Sequence, residues 1–232
     1  MSLRADAVLF DKDGTLFEFG ATWDAWGRAA LEHFSEGDTE ALRALAEVSR
    51  FDLVRGSFRA DSPVIAGTNR EAAECLASAI PGLDADVVEA HMALTAAEAP
   101  LVEAVPLGPL MARLDGLGLP LGVMTNDAER SARAHLRSAG IESAFRFIAG
   151  FDSGHGAKPD PRPLLAFAEA VGLAPARIVM VGDSPHDLSA GRAAGMQTVG
   201  VTTGPIPAEA LAPLADAVLP DIGHLPGWLG AA

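Results

Sequence analysis

The sequence predicts an α/β fold, with a doubly wound, Rossmann-like parallel sheet and an all-helical domain inserted after the first strand. In the second half of the chain, short apolar runs alternate with helix-like segments, as is typical of βαβ units. Between the first apolar run and this alternation lies a long segment with helical spacing and no clear β run. Together these observations indicate one sheet-based core that is interrupted early by helices.

The strands of the predicted core are short apolar runs, which suit buried parallel strands. They lie at 7–10, 119–125, 147–150, 178–182, 198–201 and, more weakly, 217–219. Helices are predicted at 127–139, 161–171 and 187–194. Each of these begins at Asp or Pro and is followed directly by Gly, the usual start and stop signals.

The inserted segment is rich in Ala, Glu, Leu and Arg. Helical spacing recurs at 23–34, 39–50, 69–78 and 84–99, whereas 55–68 contains Gly, Ser and Pro and is predicted to be a loop. We therefore predict an α/β core domain formed by 1–16 and 101–232, and a helical domain at 17–100.

The overall composition excludes several classes of partner. The 232 residues include 49% hydrophobic ones, enough for a sizeable core, and carry a net charge of −14 with a pI of about 4.7. Nucleic-acid and anionic-membrane partners require a basic patch, so we expect neither. The chain has no signal-peptide pattern at its start and no apolar stretch of bilayer length, which predicts a cytoplasmic protein. The oligomeric state is left open.

Polar residues follow four of the predicted strands, at the edge of the sheet where α/β proteins bind ligands. They are Asp11 and Asp13, Thr125 and Asn126, Lys158, and Asp183 with Asp187. Each has an ordinary alternative as a turn, strand, loop or helix-cap residue. Carboxylates gathered from several strand ends would repel one another, however, so a metal or a phosphate-binding cation is expected among them.

These residues resemble the four motifs of the haloacid dehalogenase superfamily, in its phosphatase branch. The Asp-x-Asp-Gly-Thr motif is met by 11–15, and the Gly-Asp-x-x-x-Asp motif by 182–187. Thr125 and Lys158 stand at the positions of the second and third motifs. All four occur in the family's order, and the resemblance covers essentially the whole chain. The inserted helices look like the family's cap domain, and with 191–204 they are most similar to the phosphoglycolate phosphatase group.

The resemblance implies a Mg²⁺-dependent phosphatase that works through an aspartyl-phosphate. Asp11 is then the nucleophile. Asp13 protonates the leaving alkoxide and afterwards deprotonates the attacking water. The Mg²⁺ ligands are Asp11, Asp183 and, through its backbone carbonyl, Asp13.

The remaining motif residues are implied to handle the phosphate. Thr125 and the backbone N–H of Asn126 hold phosphate oxygens, Lys158 neutralises charge on the transferring group, and Asp187 orients Lys158. The implied substrate is a small phosphorylated metabolite similar to phosphoglycolate, over which the cap domain closes.

Three other functions fit parts of this pattern. A dehalogenase has no alkoxide to protonate and needs no magnesium, so Asp13 and Asp183 argue against it. A phosphomutase of the same fold shares the core motifs. A signalling domain that only holds the phosphate on Asp11 is less compatible with the helical insertion and with Asp13.

Two basic residues stand outside the motif assignments. Lys12 occupies a position between the two aspartates that is usually apolar in the family, and it is one of only two lysines, the other being Lys158. Strand alternation predicts that its side chain points away from Asp11 and Asp13, towards the cap or the surface. Arg59 lies in the loop at 55–68, where a guanidinium can hold a substrate carboxylate by a bidentate contact.

Overall fold

Eight strands are present in the computed structural model, which describes residues 3–230. They are β1 (Ala7–Phe10), β2 (Phe51–Asp52), β3 (Ser57–Phe58), β4 (Leu121–Met124), β5 (Phe147–Ala149), β6 (Ile178–Gly182), β7 (Gln197–Val201) and β8 (Ala217–Leu219). Six of them form the main sheet, and β2 and β3 pair separately as an antiparallel hairpin.

Helices fill both the insertion and the connections between the strands of the sheet. They are α1 (Phe19–Ser35), α2 (Thr39–Ser49), α3 (Pro63–Ala66), α4 (Asn69–Ala77), α5 (Ala85–Ala96), α6 (Leu107–Gly116), α7 (Glu129–Ser138), α8 (Arg162–Val171), α9 (Pro185–Ala193), α10 (Ala208–Leu211) and α11 (Leu225–Leu229). Sequence analysis assigned no element to α6, α10 or α11. None of these helices is both long and apolar enough to span a bilayer within the described part of the chain.

The main sheet has the strand order β5-β4-β1-β6-β7-β8, and every pair in it is parallel. The central strand β1 pairs with β4 on one side and with β6 on the other, in register at Phe10 with Val123 and Val181. Because the strands are parallel, the residues that follow β1, β4 and β6 meet at one edge. The predicted fold class, a doubly wound parallel sheet with helices inserted after its first strand, is confirmed.

The sheet is buried on both faces, as continuous apolar strands require. One face packs against α8, where Leu164 and Phe167 are fully buried. Gly122 in β4 permits this packing, because a Cβ at that position would overlap the ring of Phe167. The tight core holds the strand ends at fixed positions.

The chain divides into two compact units, Met1–Phe19 with Val102–Ala232, and Gly20–Leu101. The second unit has its own apolar core, which includes Leu31, Leu45, Leu76 and Val88. Each unit therefore has an apolar core of its own.

The predicted loop at 55–68 contains more structure than the sequence analysis expected. Its start belongs to the β2–β3 hairpin, and α3 lies within it. The turn forms locally: the Asp52 carboxylate accepts hydrogen bonds from the backbone N–H groups of Val54 and Arg55, both at 2.9 Å, and Gly56 has a φ of 74°. The aromatic rings of Phe51 and Phe58 then pack edge to face across the two strands.

Candidate active site

The centre of the site is a buried ion cluster directly after β1. The ammonium of Lys158 lies 2.6 Å from Oδ1 of Asp11 and 2.6 Å from Oδ1 of Asp187. It also donates to the carbonyl oxygen of Met124 at 2.8 Å. All three charged side chains are buried. Three acceptors match the three protons of an ammonium, so Lys158 is held in one orientation.

The Lys158 backbone is fixed by the side chain of Asn126. The amide nitrogen of Asn126 donates to the carbonyl oxygen of Lys158 at 2.9 Å, and its amide oxygen accepts from the Lys158 N–H at 2.9 Å. The Lys158–Pro159 peptide bond, which follows, is cis. Sequence analysis assigned only the backbone of Asn126 and missed this contact. The residue type could have indicated this contact, because a primary amide can donate one hydrogen bond and accept another at the same time.

Asp187 connects the cluster to the start of α9. Its Oδ2 accepts hydrogen bonds from the backbone N–H and the hydroxyl of Ser184, at 3.0 Å and 2.7 Å, in a capping box. Its Oδ1 is the atom that contacts Lys158. One oxygen thus fixes the carboxylate to the helix, and the other meets the ammonium.

The cluster is buried and carries more negative than positive charge. Burial is the largest influence on Asp11 and raises the pKa of its carboxyl to about 7, against the opposing charge of Lys158. Burial, followed by the charges of Asp11 and Asp187, raises the pKa of Asp183 well above its ordinary value. For Lys158, burial acts to lower the pKa, but the two partner carboxylates outweigh it and raise the pKa. Another cation would relieve this repulsion.

The same carboxylates are placed to bind a metal ion. Oxygens of Asp11, Asp183 and Asp187 all lie within 4.8 Å of one another. Space around Asp183 is kept by glycines, because a Cβ at Gly14 or at Gly204 would overlap its carboxylate. An all-oxygen donor set fits a hard divalent cation. The cluster can therefore hold such an ion, although Asp187 also forms an ion pair with the ammonium of Lys158.

Thr125 lies directly after β4 and is buried. Its hydroxyl oxygen accepts the backbone N–H of Asp127 at 3.1 Å, and a hydroxyl that accepts in this way can still donate its own proton to an anion. The residue therefore stands at the sheet edge with Asp11 and Lys158, because β1 and β4 are neighbouring strands. Its phosphate contact remains a prediction.

Lys12 does not lie where strand alternation predicted. Its side chain is fully buried, and its ammonium contacts the carboxylate of Asp13, with the nearest oxygen at 2.7 Å. The expectation that it points away from Asp13, and the alternative that it is a surface residue, are wrong. Alternation ends at Phe10, and the next residues form a turn in which the Lys12 carbonyl accepts N–H bonds from Leu16 and Phe17.

The Lys12 ammonium has two further neighbours, from the β4–α7 connection and from α7. Asp127 Oδ2 lies at 3.1 Å, and His135 Nδ1 at 2.9 Å. Burial acts to lower the pKa of Lys12, but the charges of Asp13 and Asp127 outweigh it and raise the pKa. Lys12 is therefore charged in the folded protein. From the sequence, Asp127 stands at the end of the strand that contains Thr125 but was given no role, and His135 was not placed at this edge.

Arg59 belongs to the unit formed by Gly20–Leu101. Its guanidinium lies 3.3 Å from Asp61, and more than half of its side-chain surface is exposed. Within that unit it lines a cavity of about 360 Å³ together with Arg43 and Arg50. Its contact with a substrate carboxylate remains a prediction.

At one edge of a parallel sheet, a buried lysine and three carboxylates form a site suited to an anionic ester and a cation, as is expected of a hydrolase that acts on charged esters. Residues 5–195 match the model of the family described as haloacid dehalogenase-like hydrolase. The chain belongs to this family, and it is a phosphatase within it.

Two curated relatives and one solved structure illustrate the similarity. A phosphoglycolate phosphatase of Rhodospirillum rubrum is 34% identical, over 97% of this chain and 90% of its own. An N-acetylmuramic acid 6-phosphate phosphatase of Pseudomonas aeruginosa is 29% identical, over 89% of this chain and 86% of its own. The crystal structure of a predicted phosphoglycolate phosphatase from Haemophilus somnus superposes with a TM-score of 0.73 at 20% identity, covering 96% of both chains, which shows the shared fold.

Proposed function

We propose that this phosphatase is Mg²⁺-dependent, that it hydrolyses a small phosphate monoester similar to phosphoglycolate, and that it does so through an aspartyl-phosphate on Asp11. The observation that carries the proposal is the buried contact of Asp11 with Lys158 at 2.6 Å, directly beyond the central strand. A carboxylate held in this way is oriented for attack, and the ammonium beside it can accept the charge of a phosphoryl group.

In the first step, a carboxylate oxygen of Asp11 forms a bond to phosphorus, and the bond from phosphorus to the ester oxygen breaks. Asp13 gives its proton to the departing alkoxide, which leaves as an alcohol. Thr125, the Asn126 backbone N–H and Lys158 hold the phosphoryl oxygens during the transfer.

In the second step, water attacks the phosphorus of the aspartyl-phosphate and Asp13 takes the proton of that water. The bond between phosphorus and the Asp11 oxygen breaks, inorganic phosphate leaves, and both aspartates return to their starting states. A single carboxyl group thus serves as acid and then as base. Asp187 keeps Lys158 directed at the reacting group in both steps.

Asp11 and Asp183, with the backbone carbonyl of Asp13, would hold Mg²⁺ in this proposal. A bound divalent cation supplies positive charge that offsets the phosphoryl oxygens and the acidic cluster. The raised pKa of Asp183 supports this assignment, because its burial beside other carboxylates is unfavourable unless a cation accompanies it.

The substrate class is supported by the names of the two relatives. One is named for phosphoglycolate and the other for the 6-phosphate of N-acetylmuramic acid, so each name pairs a phosphate ester with an acid group. We accordingly propose a substrate that carries a carboxylate besides its phosphate. In this proposal the helical unit acts as a cap domain and Arg59 contacts the substrate carboxylate.

The test is phosphate release from a panel of small phosphate esters, with Mg²⁺ and with EDTA, comparing the wild type with Asp11→Asn. We expect Mg²⁺-dependent release that falls by more than about 10³-fold in the variant, because the amide is a poor nucleophile. Release that survives the substitution or the chelator would contradict the proposal. Transfer to a sugar in preference to water would identify a phosphomutase, and a lasting phospho-Asp11 without turnover would identify a signalling domain.

A further inference from the structure

We propose that Lys12 is a positioning residue for Asp13, and that it holds the carboxylate of the acid and base in place through a buried connection to Asp127 and His135. The inference rests on the proposed role of Asp13 in the reaction. It concerns a residue for which the sequence predicted no catalytic part.

The first support is the geometry around the ammonium. Lys12 Nζ lies 2.7 Å from Oδ2 and 2.9 Å from Oδ1 of Asp13, so both carboxylate oxygens face one cation. On its other sides the ammonium meets Asp127 at 3.1 Å and His135 at 2.9 Å. A carboxylate whose two oxygens both contact one ammonium is restricted in its rotation about the Cβ–Cγ bond.

The second support is that the groups behind Asp13 are themselves fixed. Lys12 is fully buried, His135 is 1% exposed, and Asp127 is 8% exposed, whereas the Asp13 side chain keeps 16% of its surface open. Asp127 also accepts the backbone N–H of Ala128 at 2.7 Å. The connection therefore runs from a rigid interior to a carboxylate that is open enough to meet a substrate.

His135 contributes a specific tautomer to this arrangement. Its Nδ1 faces the Lys12 ammonium, which can only donate, so Nδ1 accepts and the ring proton is on Nε2. The ring also packs edge-on against Phe17, with centroids 6.4 Å apart. A neutral imidazole held in this way lets the ammonium approach without a competing positive charge.

The catalytic consequence follows from the demands of proton transfer. The acid must lie within hydrogen-bond reach of the ester oxygen when the phosphorus bond breaks, and small misplacements cost large factors in rate. Without the ammonium, Asp13 would turn among several rotamers. Lys12 thus acts on the reaction through Asp13.

A purely structural alternative is that Lys12 only balances the buried charge of Asp127. Lys12→Met alone cannot separate the two, because it leaves that charge buried without its partner and lowers the stability. The double variant Lys12→Met/Asp127→Asn removes both charges and keeps similar side-chain shapes, and the Asn oxygen can still accept the Ala128 N–H. It removes the ammonium from Asp13 without leaving the charge of Asp127 buried and unpaired, and the only donor lost behind it is the one that faces Nδ1 of the neutral His135 ring.

The decisive measurement is kcat/KM for two esters with different needs for an acid, 2-phosphoglycolate and p-nitrophenyl phosphate, together with the melting temperature. The value of kcat/KM depends on the steps up to and including release of the alcohol. Since p-nitrophenolate leaves without a proton, its ester reports on Asp11 but not on the acid. For the double variant we expect a melting temperature close to the wild type, a roughly tenfold to hundredfold loss with phosphoglycolate, and less than about a threefold loss with p-nitrophenyl phosphate.

Asp13→Asn is the control that separates this inference from the proposed function. A selective loss with phosphoglycolate in Asp13→Asn and in the double variant supports both. If Asp13→Asn is selective and the double variant has wild-type values, or loses equally with both esters, the role of Lys12 is overturned alone. If Asp13→Asn shows no selectivity, the acid assignment is wrong and the inference is overturned with it.

Discussion

The two lysines of the chain occupy two different parts of the same sheet edge, and their environments are alike. Lys158 lies between Asp11 and Asp187, and Lys12 lies between Asp13 and Asp127. Both are buried, whereas the arginines that form ion pairs at Arg70, Arg137 and Arg177 keep between 43% and 57% of their side-chain surface exposed. Each aspartate of the proposed catalytic pair therefore has an ammonium of its own.

The difference between the two sites lies in what fixes each lysine. Lys158 is in a loop that the side chain of Asn126 holds, and its ammonium meets the proposed nucleophile. Lys12 follows β1 directly, and its ammonium is anchored on Asp127 and on His135 of α7. A lysine suits both places because its thin stem delivers a compact charge, whereas a planar guanidinium needs more room. The comparison predicts different functional signatures for the two.

The largest expected effect comes from Lys158→Met. Removing the ammonium leaves Asp11 and Asp187 facing each other and takes away charge stabilisation of the phosphoryl group. We expect kcat to fall by roughly 10³-fold. The loss should be similar for 2-phosphoglycolate and p-nitrophenyl phosphate, because both transfer the same group.

That equality sharpens the contrast with Lys12, for which the loss should depend on the leaving group. Lys158→Arg is the matched control, which keeps the charge but not the shape, and we expect it to lose most of the activity too. Steady-state kinetics with both esters measure the loss of kcat in the two Lys158 variants. Near-wild-type kcat in Lys158→Met would contradict the proposed role of the residue.

An intermediate effect is expected from Asn126→Ala, which removes the two 2.9 Å contacts to the Lys158 backbone. The Lys158 loop should loosen, and kcat should fall about tenfold, because its ammonium would be less well directed. Asn126→Asp keeps the acceptor for the Lys158 N–H but loses the donor. It should therefore lie between the alanine variant and the wild type, and equal kcat in all three proteins would show that the amide does not position Lys158.

The smallest expected effect is that of Arg59→Ala, at a cation that is exposed rather than buried. We expect KM for 2-phosphoglycolate to rise about fivefold with kcat nearly unchanged, since an exposed charge contact contributes only modestly. Arg43→Ala is the control, because Arg43 lines the same cavity. An unchanged KM in Arg59→Ala, or the same rise in both variants, would mean that Arg59 makes no specific contact with the carboxylate.

Much of the fold and part of the site could be predicted from the sequence because their signals are local. Buried parallel strands appear as short apolar runs, and the order of strands and helices then defines the sheet edge at which Asp11 and Lys158 meet. The β2–β3 hairpin was missed because each strand has only two residues, too few for a periodic pattern.

The sequence by itself determined which strand-end residues reach the sheet edge, since that depends on where each strand ends. Only the tertiary structure decided how the polar side chains there are paired. Lys12 and His135 are 123 positions apart, and their contact exists because the chain turns after Phe10 while α7 packs beside that turn. The alternation of side chains between the two faces of a sheet holds only for residues within a strand. Beyond the end of the strand, the groups that surround a side chain set its direction. A buried ammonium lies where carboxylates can offset the cost of its desolvation.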